Sequence, residues 1–257
     1  MTKKPVPTGV GLCRLCGRWQ GVQYVCMLGH GPKSPELVII AEAPSKEEDR
    51  IGRPLVGPAG KLLDRALVAA GYDLSKIYRT NSVRCGSQPA KPKMTEIRKC
   101  RMYLTEELSL LDLSQCIAVI VMGETAIKSI TDDAYLSVRE TRLRRLNAHT
   151  IIPITTPVFA TYHPSAALPH HQPDLFDEIV EDLKAVRIKR DLVKPVVEIT
   201  SEEELGQFDQ DIELGIDLEW RRNGSIRMIG VSNGQTNALA RDPKVAITWL
   251  QKRAEAD

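Results

Sequence analysis

Four short aliphatic runs, each closing on a polar or conformationally special residue, constrain this chain more than any other feature. ELVIIAEAP (36–44) is stopped by Pro44, and IYRTNSV (77–83) turns polar at its end. CIAVIVMG (116–123) closes on a glycine, and VFATYHPS (158–165) runs into a proline turn. Runs of this length and composition read as buried strands. Helical periodicity recurs between them. Leu62, Leu63, Ala66, Leu67 and Ala70 predict a helix over 59–70 that stops at Gly71. Thr95 reads as the N-cap of a helix reaching roughly to Leu110, and a further helix opens at 124–130. Leu175, Phe176, Ile179, Val180, Leu183, Val186 and Ile188 make 173–190 an amphipathic helix. Residues 1–35 and 45–58 read as loops and short elements. Strands alternating with helices predict an α/β fold with a mostly parallel sheet. Ligands of such sheets sit beyond the carboxyl ends of the strands. Glu42, Asn81, Gly123-Glu124 and His163-Pro164-Ser165 follow the four strands, so they should converge on one crevice.

The length of 257 residues allows one large domain or two smaller ones. A chain 42% apolar and 26% charged is not disordered, and 5% aromatics imply an aliphatic core. No apolar run is long enough to span a bilayer, and MTKKPVPTG carries no secretory pattern, so a cytoplasmic protein without a membrane partner is expected. The net charge of +2 limits any nucleic-acid surface to a local patch.

Six cysteines stand at 13, 16, 26, 85, 100 and 116. With no secretory signal, a metal or cluster site is a stronger reading than a disulfide framework. Cys13-x-x-Cys16 is a short chelating bite. Cys85 and Cys100 are separated by 14 residues, a spacing that suits a bulky [4Fe–4S] cluster better than structural zinc, although four thiolates can hold either. Cys116 opens an apolar strand and reads as core. Cys26 has no assigned role.

AEAPSKEEDRIGRPLVGPAGKLLD (41–64), TNSVRC (80–85), Cys100, VIVMGETA (119–126) and TYHPSAAL (161–168) together resemble the iron–sulfur, family 4 uracil-DNA glycosylases over roughly residues 10–188. The resemblance implies a three-layer αβα fold around a four-stranded sheet, a structural [4Fe–4S] cluster on Cys13, Cys16, Cys85 and Cys100, and hydrolysis of uracil from DNA. A glycosylase must flip its nucleotide out of the stack. Asn81 then falls where an amide would accept from uracil N3–H and donate to O4, a pattern cytosine cannot match. His163, held extended before Pro164, falls where it would stabilise the anionic leaving base. Glu42 and Glu48 fall where a carboxylate would position water or face an oxocarbenium-like sugar, and the sequence does not choose between them. Ala43, Pro44, Ser45 and Leu55 would line the pocket, and Leu168 would wedge into the DNA gap. Lys61, Arg84, Lys91, Lys93, Arg98, Lys99 and the arginines of 139–145 are expected phosphate contacts. His149, His170 and His171 read as surface residues. The chain departs from the family at Ala41 and Ser45, where glycines are usual, and at Leu55, where a stacking Phe is usual.

After residue 190 the pattern restarts, so the expected division is 1–190 and 191–257. LGIDLEW (214–220) resembles the first motif of DEDD-type 3′–5′ exonucleases. Strand alternation puts Asp217 and Glu219 on one face, as a two-metal site requires. IRMIGVSNG (226–234) would follow as a hairpin partner after Asn223-Gly224. The later acidic motifs are not visible, so this ribonuclease H-like piece is expected to be incomplete and unable to hydrolyse DNA alone. A glycosylase-like domain followed by a proofreading domain resembles the start of some phage family A DNA polymerases. Two other readings stay open: a catalytically weakened module that holds uracil-containing or single-stranded DNA for a polymerase in the same polypeptide or complex, and a zinc-stabilised nucleotide-binding domain.

Overall fold

The computed structural model describes residues 11–86, 91–146, 156–192, 196–199, 201, 205, 215–220, 226–232, 237–240 and 243–256. The chain forms two compact units, Met1–Arg190 and Asp191–Asp257.

In the first unit, strands β1 (Leu37–Ala41), β2 (Ile77–Asn81), β3 (Ala118–Met122) and β4 (Val158–Thr161) form one parallel sheet in the order β2-β1-β3-β4. Every residue of β1 is at most 1% exposed, which explains its unbroken aliphatic run. Leu37, Ile39 and Ala41 face a core that includes Leu63 and Leu67 of α2 (Pro58–Ala69) and Ile179 and Leu183 of α6 (Leu175–Leu192). Val38 and Ile40 face the opposite core, with Leu104 and Leu108 of α3 (Met94–Ser109) and Ile127 and Ile130 of α4 (Glu124–Thr131). The result is a three-layer αβα fold, as expected. Each fully buried aliphatic side chain contributes roughly 1.5–3 kcal/mol.

Two local expectations need correction. Residues 45–58 are not all loop: α1 (Lys46–Ile51) lies within them. Its signal was legible as Ser45-x-x-Glu48, a capping box in which each side chain bonds the other's backbone N–H. Helix α3 is capped at Lys93 rather than Thr95, because Glu96 reaches back to accept from the Lys93 N–H at 2.8 Å. The one-turn helix α5 (Val138–Thr141) carries a similar box between Ser137 and Glu140.

The second unit contains β5 (Val196–Ile199), β6 (Gly215–Trp220), β7 (Ile226–Ser232), β8 (Asn237–Ala240) and α7 (Pro243–Ala256). Its sheet runs β5-β8-β7-β6, with β5 parallel to β8 and the other pairs antiparallel. Leu205, Ile229, Ala246 and Trp249 form its small core. Asp217 and Glu219 stand two apart on β6, opposite Gly230 and Met228 of β7. The Asn223-Gly224 turn lies outside the described residues, as do the N-terminal MTKKPVPTG and His149. Among the described residues no helix is long and apolar enough to cross a membrane.

Candidate active site

The carboxyl ends of the four strands bring Glu42, Asn81, Gly123 and His163 to one edge of the sheet. Ala41 pairs in register with Asn81. Backbone bonds from Ser82 N–H to the Ala41 carbonyl and from Val83 N–H to the Glu42 carbonyl, 2.9 Å each, tie the two exits together. Asn81 is 4% exposed, and its amide meets no hydrogen-bond partner among the described residues.

Glu42 is held by a residue that the sequence did not single out. Thr125, on the first turn of α4, donates from Oγ1 to Glu42 Oε2 at 2.7 Å. Nothing in local sequence marks Thr125, since its role exists only once β3 lies beside β1. Glu48 has a different environment. Its Oε2 accepts from Ser45 N–H at 2.6 Å, and its own N–H donates to Ser45 Oγ at 3.3 Å. The carboxylate that completes the α1 cap is thus buried in local structure. Serine at 45 supplies that cap, which a glycine would not.

His163 is the N-cap of a short 3-10 turn, Pro164–Ala167. Its Nδ1 accepts from Ser165 N–H at 3.2 Å and lies 2.7 Å from Ser165 Oγ. With Nδ1 accepting, a neutral imidazole carries its proton on Nε2. Burial holds this histidine below its ordinary 6.5, the Glu42 carboxylate pulls it up, and Lys91 pushes it down. The ring comes close to β3 because residue 123 is glycine. Gly123 has φ +83, and a Cβ there would stand 3.1 Å from His163 Cβ. Behind the turn, Arg142 pairs with Asp182 through two 2.9 Å bonds and also with Glu178, while Thr161 Oγ1 donates to Asp182 at 2.6 Å. That network anchors the end of β4.

Other expected residues fall as follows. Ala43 packs against Val83, Ile97 and Cys100. Gly86 sits on Pro44 so closely that a Cβ would meet the Pro44 carbonyl at 1.7 Å. Leu55 adopts φ 56 and is 4% exposed within the α2-side core. Leu168 is partly buried against that same core. Lys61, Lys91, Lys93 and Lys99 are exposed. Arg84 is not available to a phosphate. It is 0% exposed and pairs with Glu107 at 2.6 Å, and it also donates to the Met27 and Tyr103 carbonyls. Arg98 pairs with Asp132. His170 and His171 are exposed, with ring centroids 4.4 Å apart.

Cys13, Cys16, Cys26, Cys85 and Cys100 line one small cavity. Cys85 Sγ accepts from Cys26 N–H, and Cys100 Sγ accepts from Arg84 N–H, both at 3.3 Å. Backbone donors aimed at sulfur favour thiolate character and are a recognised lever on iron–sulfur centres. Burial pushes the Cys100 and Cys26 thiols up to about 12, so thiolates there need a cationic partner. Among the described residues no three His, Cys, Asp or Glu side chains gather tightly enough for a single metal ion. Cys116 lies apart, donating to the Ala118 carbonyl beside the second core.

The family model described as the uracil DNA glycosylase superfamily matches residues 28–184. This chain belongs to that superfamily. Among curated relatives, a type-4 uracil-DNA glycosylase of Sulfurisphaera tokodaii is 30% identical over 68% of this chain and 79% of its own length. A type-4 uracil-DNA glycosylase of Archaeoglobus fulgidus is 29% identical over 62% of this chain and 78% of its own. A DNA polymerase of Bacillus phage SP01 is 26% identical over 62% of this chain but only 16% of its own length. For a superfamily member, two features were absent from the sequence reading: Thr125 beside Glu42, and a fifth cysteine in the cavity. Cys26 gave no spacing signal, because it reaches the cavity through a left-handed turn (φ 54) in an irregular segment.

Proposed function

We propose that residues 1–190 form a uracil-DNA glycosylase that hydrolyses the N-glycosidic bond of uracil, or a closely related pyrimidine, in DNA. The observation that carries this reading is the convergence of three groups at the strand ends: the Asn81 amide, which meets no partner among the described residues, the Thr125-held carboxylate of Glu42 and the His163 ring with its Nδ1 accepting from Ser165 N–H. Asn81 accepts from uracil N3–H and donates to O4. Cytosine would leave both amide groups facing like partners, at a cost of about 1–3 kcal/mol per unsatisfied group. As the C1′–N1 bond breaks, its electron pair passes to the base, and His163 donates Nε2–H toward O2, where negative charge develops. A neutral donor there needs no proton from solvent. Glu42 faces the sugar and orients the water whose oxygen bonds C1′. The water's proton leaves through that carboxylate, and the departing uracil is reprotonated at nitrogen. Glu48, committed to the α1 cap, is the weaker choice for this role. Ala43, Pro44, Ser45 and Leu55 form or brace the pocket wall, and Leu168 is the proposed wedge. Lys61, Lys91, Lys93 and Lys99 are proposed phosphate contacts.

Cys13, Cys16, Cys85 and Cys100 are the proposed ligands of a [4Fe–4S] cluster, with structural zinc as the alternative. Such a group would supply cross-linking between the N-terminal segment and the loop after β2, and no chemistry in the hydrolysis. Residues 191–257 are proposed as an exonuclease-like segment with Asp217 and Glu219 as part of a metal site. The site of action is proposed to be the cytoplasm of a bacterial or phage-infected cell.

The test is cleavage of an end-labelled single strand bearing one uracil, followed by alkali. Cleavage that disappears in Asn81→Ala and His163→Ala is expected. An intact, iron-loaded, DNA-binding protein that leaves uracil in place would refute the proposal for that base. A second reading, a DNA-holding module attached to a polymerase, is favoured by the phage polymerase relative and by Leu55 replacing an aromatic residue. Loss of stacking is worth about 1–3 kcal/mol per base. Salt-sensitive DNA binding without turnover would support it.

A further inference from the structure

We infer that Cys26 is a reserve ligand for the iron–sulfur cluster, placed to take the iron corner that Cys13 releases. The inference rests on the cluster proposed above. A [4Fe–4S] group takes four thiolates, yet five cysteines line the cavity. Cys26 has no part in the hydrolysis and is 1% exposed. Its backbone sits at φ 54, a left-handed conformation that non-glycine residues rarely adopt. A small buried apolar residue would fill the space equally well without a reactive sulfur.

Its neighbours point to one exchange partner. Gly11 N–H donates to the Val25 carbonyl at 2.9 Å, which lays the segment leading into Cys13 beside the one leading into Cys26. Cys85 and Cys100 are buried and accept backbone N–H bonds, so they are held in place. Cys13 and Cys16 are half-exposed, so solvent and oxidants reach that bite first. Cys13 is therefore the ligand that is both labile and adjacent to Cys26. In the exchange, Cys26 gives up its thiol proton as its sulfur bonds iron. The Cys13 thiolate takes up a proton as its own bond to iron breaks. Charge and electron count are unchanged, so no oxidant is required.

The experiment measures iron, acid-labile sulfide and visible absorbance of the anaerobically purified full chain. The variants are Cys13→Ser, Cys26→Ser and Cys13→Ser/Cys26→Ser, with circular dichroism confirming the fold of each. Both single variants are expected to keep their iron and colour, and the double variant to lose both. If Cys13→Ser loses its iron as completely as the double variant, Cys26 does not substitute. If the double variant keeps iron, serine or solvent holds the corner and the inference also fails. Should Cys13→Ser not fold, the rate of iron release to a chelator is compared between Cys26→Ser and the wild type. Faster release from Cys26→Ser is expected, and equal rates overturn the inference. A wild-type protein with no iron refutes the underlying cluster, a result distinct from all of these.

Discussion

Replacing Thr125 with valine tests whether the Glu42 carboxylate does its work in a fixed orientation. Valine keeps the shape of threonine and removes one hydroxyl, so the 2.7 Å bond to Glu42 Oε2 is lost with little repacking. Thr125 is 5% exposed, so water does not readily take the hydroxyl's place. A hydrogen bond to a charged group is worth about 1.5–3 kcal/mol. If that orientation is needed in full at the transition state, each 1.36 kcal/mol is tenfold in rate, so the loss is roughly 10- to 150-fold. The assay is single-turnover cleavage of a uracil-bearing single strand at saturating enzyme, which separates the chemical step from binding and product release. The rate constant should fall in Thr125→Val with DNA affinity unchanged, and Thr125→Ser should recover most of it. A Thr125→Val enzyme that cleaves at the wild-type rate would refute the claim that Glu42 is positioned by this bond. So would a serine variant as slow as the valine one, because then packing rather than the hydroxyl matters.

The remaining predictions concern charge. Burial and Lys91 hold His163 below 6.5, so the neutral donor should persist as pH falls and the acid limb of the single-turnover rate should lie below pH 6.5. Removing a positive charge makes protonation easier, so Lys91→Ala should move that limb to higher pH, and a limb at or above 6.5 in the wild type contradicts the neutral-donor reading. Glu107 accepts from Arg84, from Gly29 N–H at 2.9 Å and from Thr80 Oγ1 at 2.6 Å. Glu107→Gln leaves a buried guanidinium without its counter-charge and should cost about 3–5 kcal/mol in urea unfolding. Arg84→Met/Glu107→Leu should cost less than that single change, and a Glu107→Gln protein of near wild-type stability would show that the pair is not sustained in solution.

The sheet and its layers were legible because β1 and β3 are buried on both faces and read as unbroken apolar runs, with the shorter apolar stretches of β2 and β4 alternating with helical periodicity. The strand ends were legible because Glu42, Asn81 and His163 are polar residues at or just past the last residues of β1, β2 and β4. Helix α1 was missed because its polar face hides its signal, although Ser45 and Glu48 carried the capping pattern. Arg84 was misread because an arginine in a basic, glycine-flanked stretch looks like a phosphate contact. Its partner Glu107 lies 23 residues away on α3, and only the packing of α3 on the sheet brings them together. Thr125 and Cys26 were invisible for a related reason, because each acts on a residue remote in sequence.

The spacing of the TNSVRC segment has a physical account in these contacts. Asn81 ends β2, Ser82 and Val83 bond back to the exit of β1, Arg84 turns inward to Glu107, and Cys85 enters the cysteine cavity. Five consecutive residues, 81–85, thus join the proposed base-reading amide to the sulfur site. A second link runs through Ala43, which packs on Val83, Ile97 and Cys100. The pocket loop after β1 and the loop after β2 therefore share one small core with a cysteine of the cavity. A group bound by those cysteines would stiffen both walls of the pocket without touching the substrate. If Asn81 reads the base as proposed, loss of iron should weaken uracil discrimination along with stability, because its loop is then no longer held. An enzyme stripped of iron that still rejects cytosine as firmly as the loaded protein would break this link.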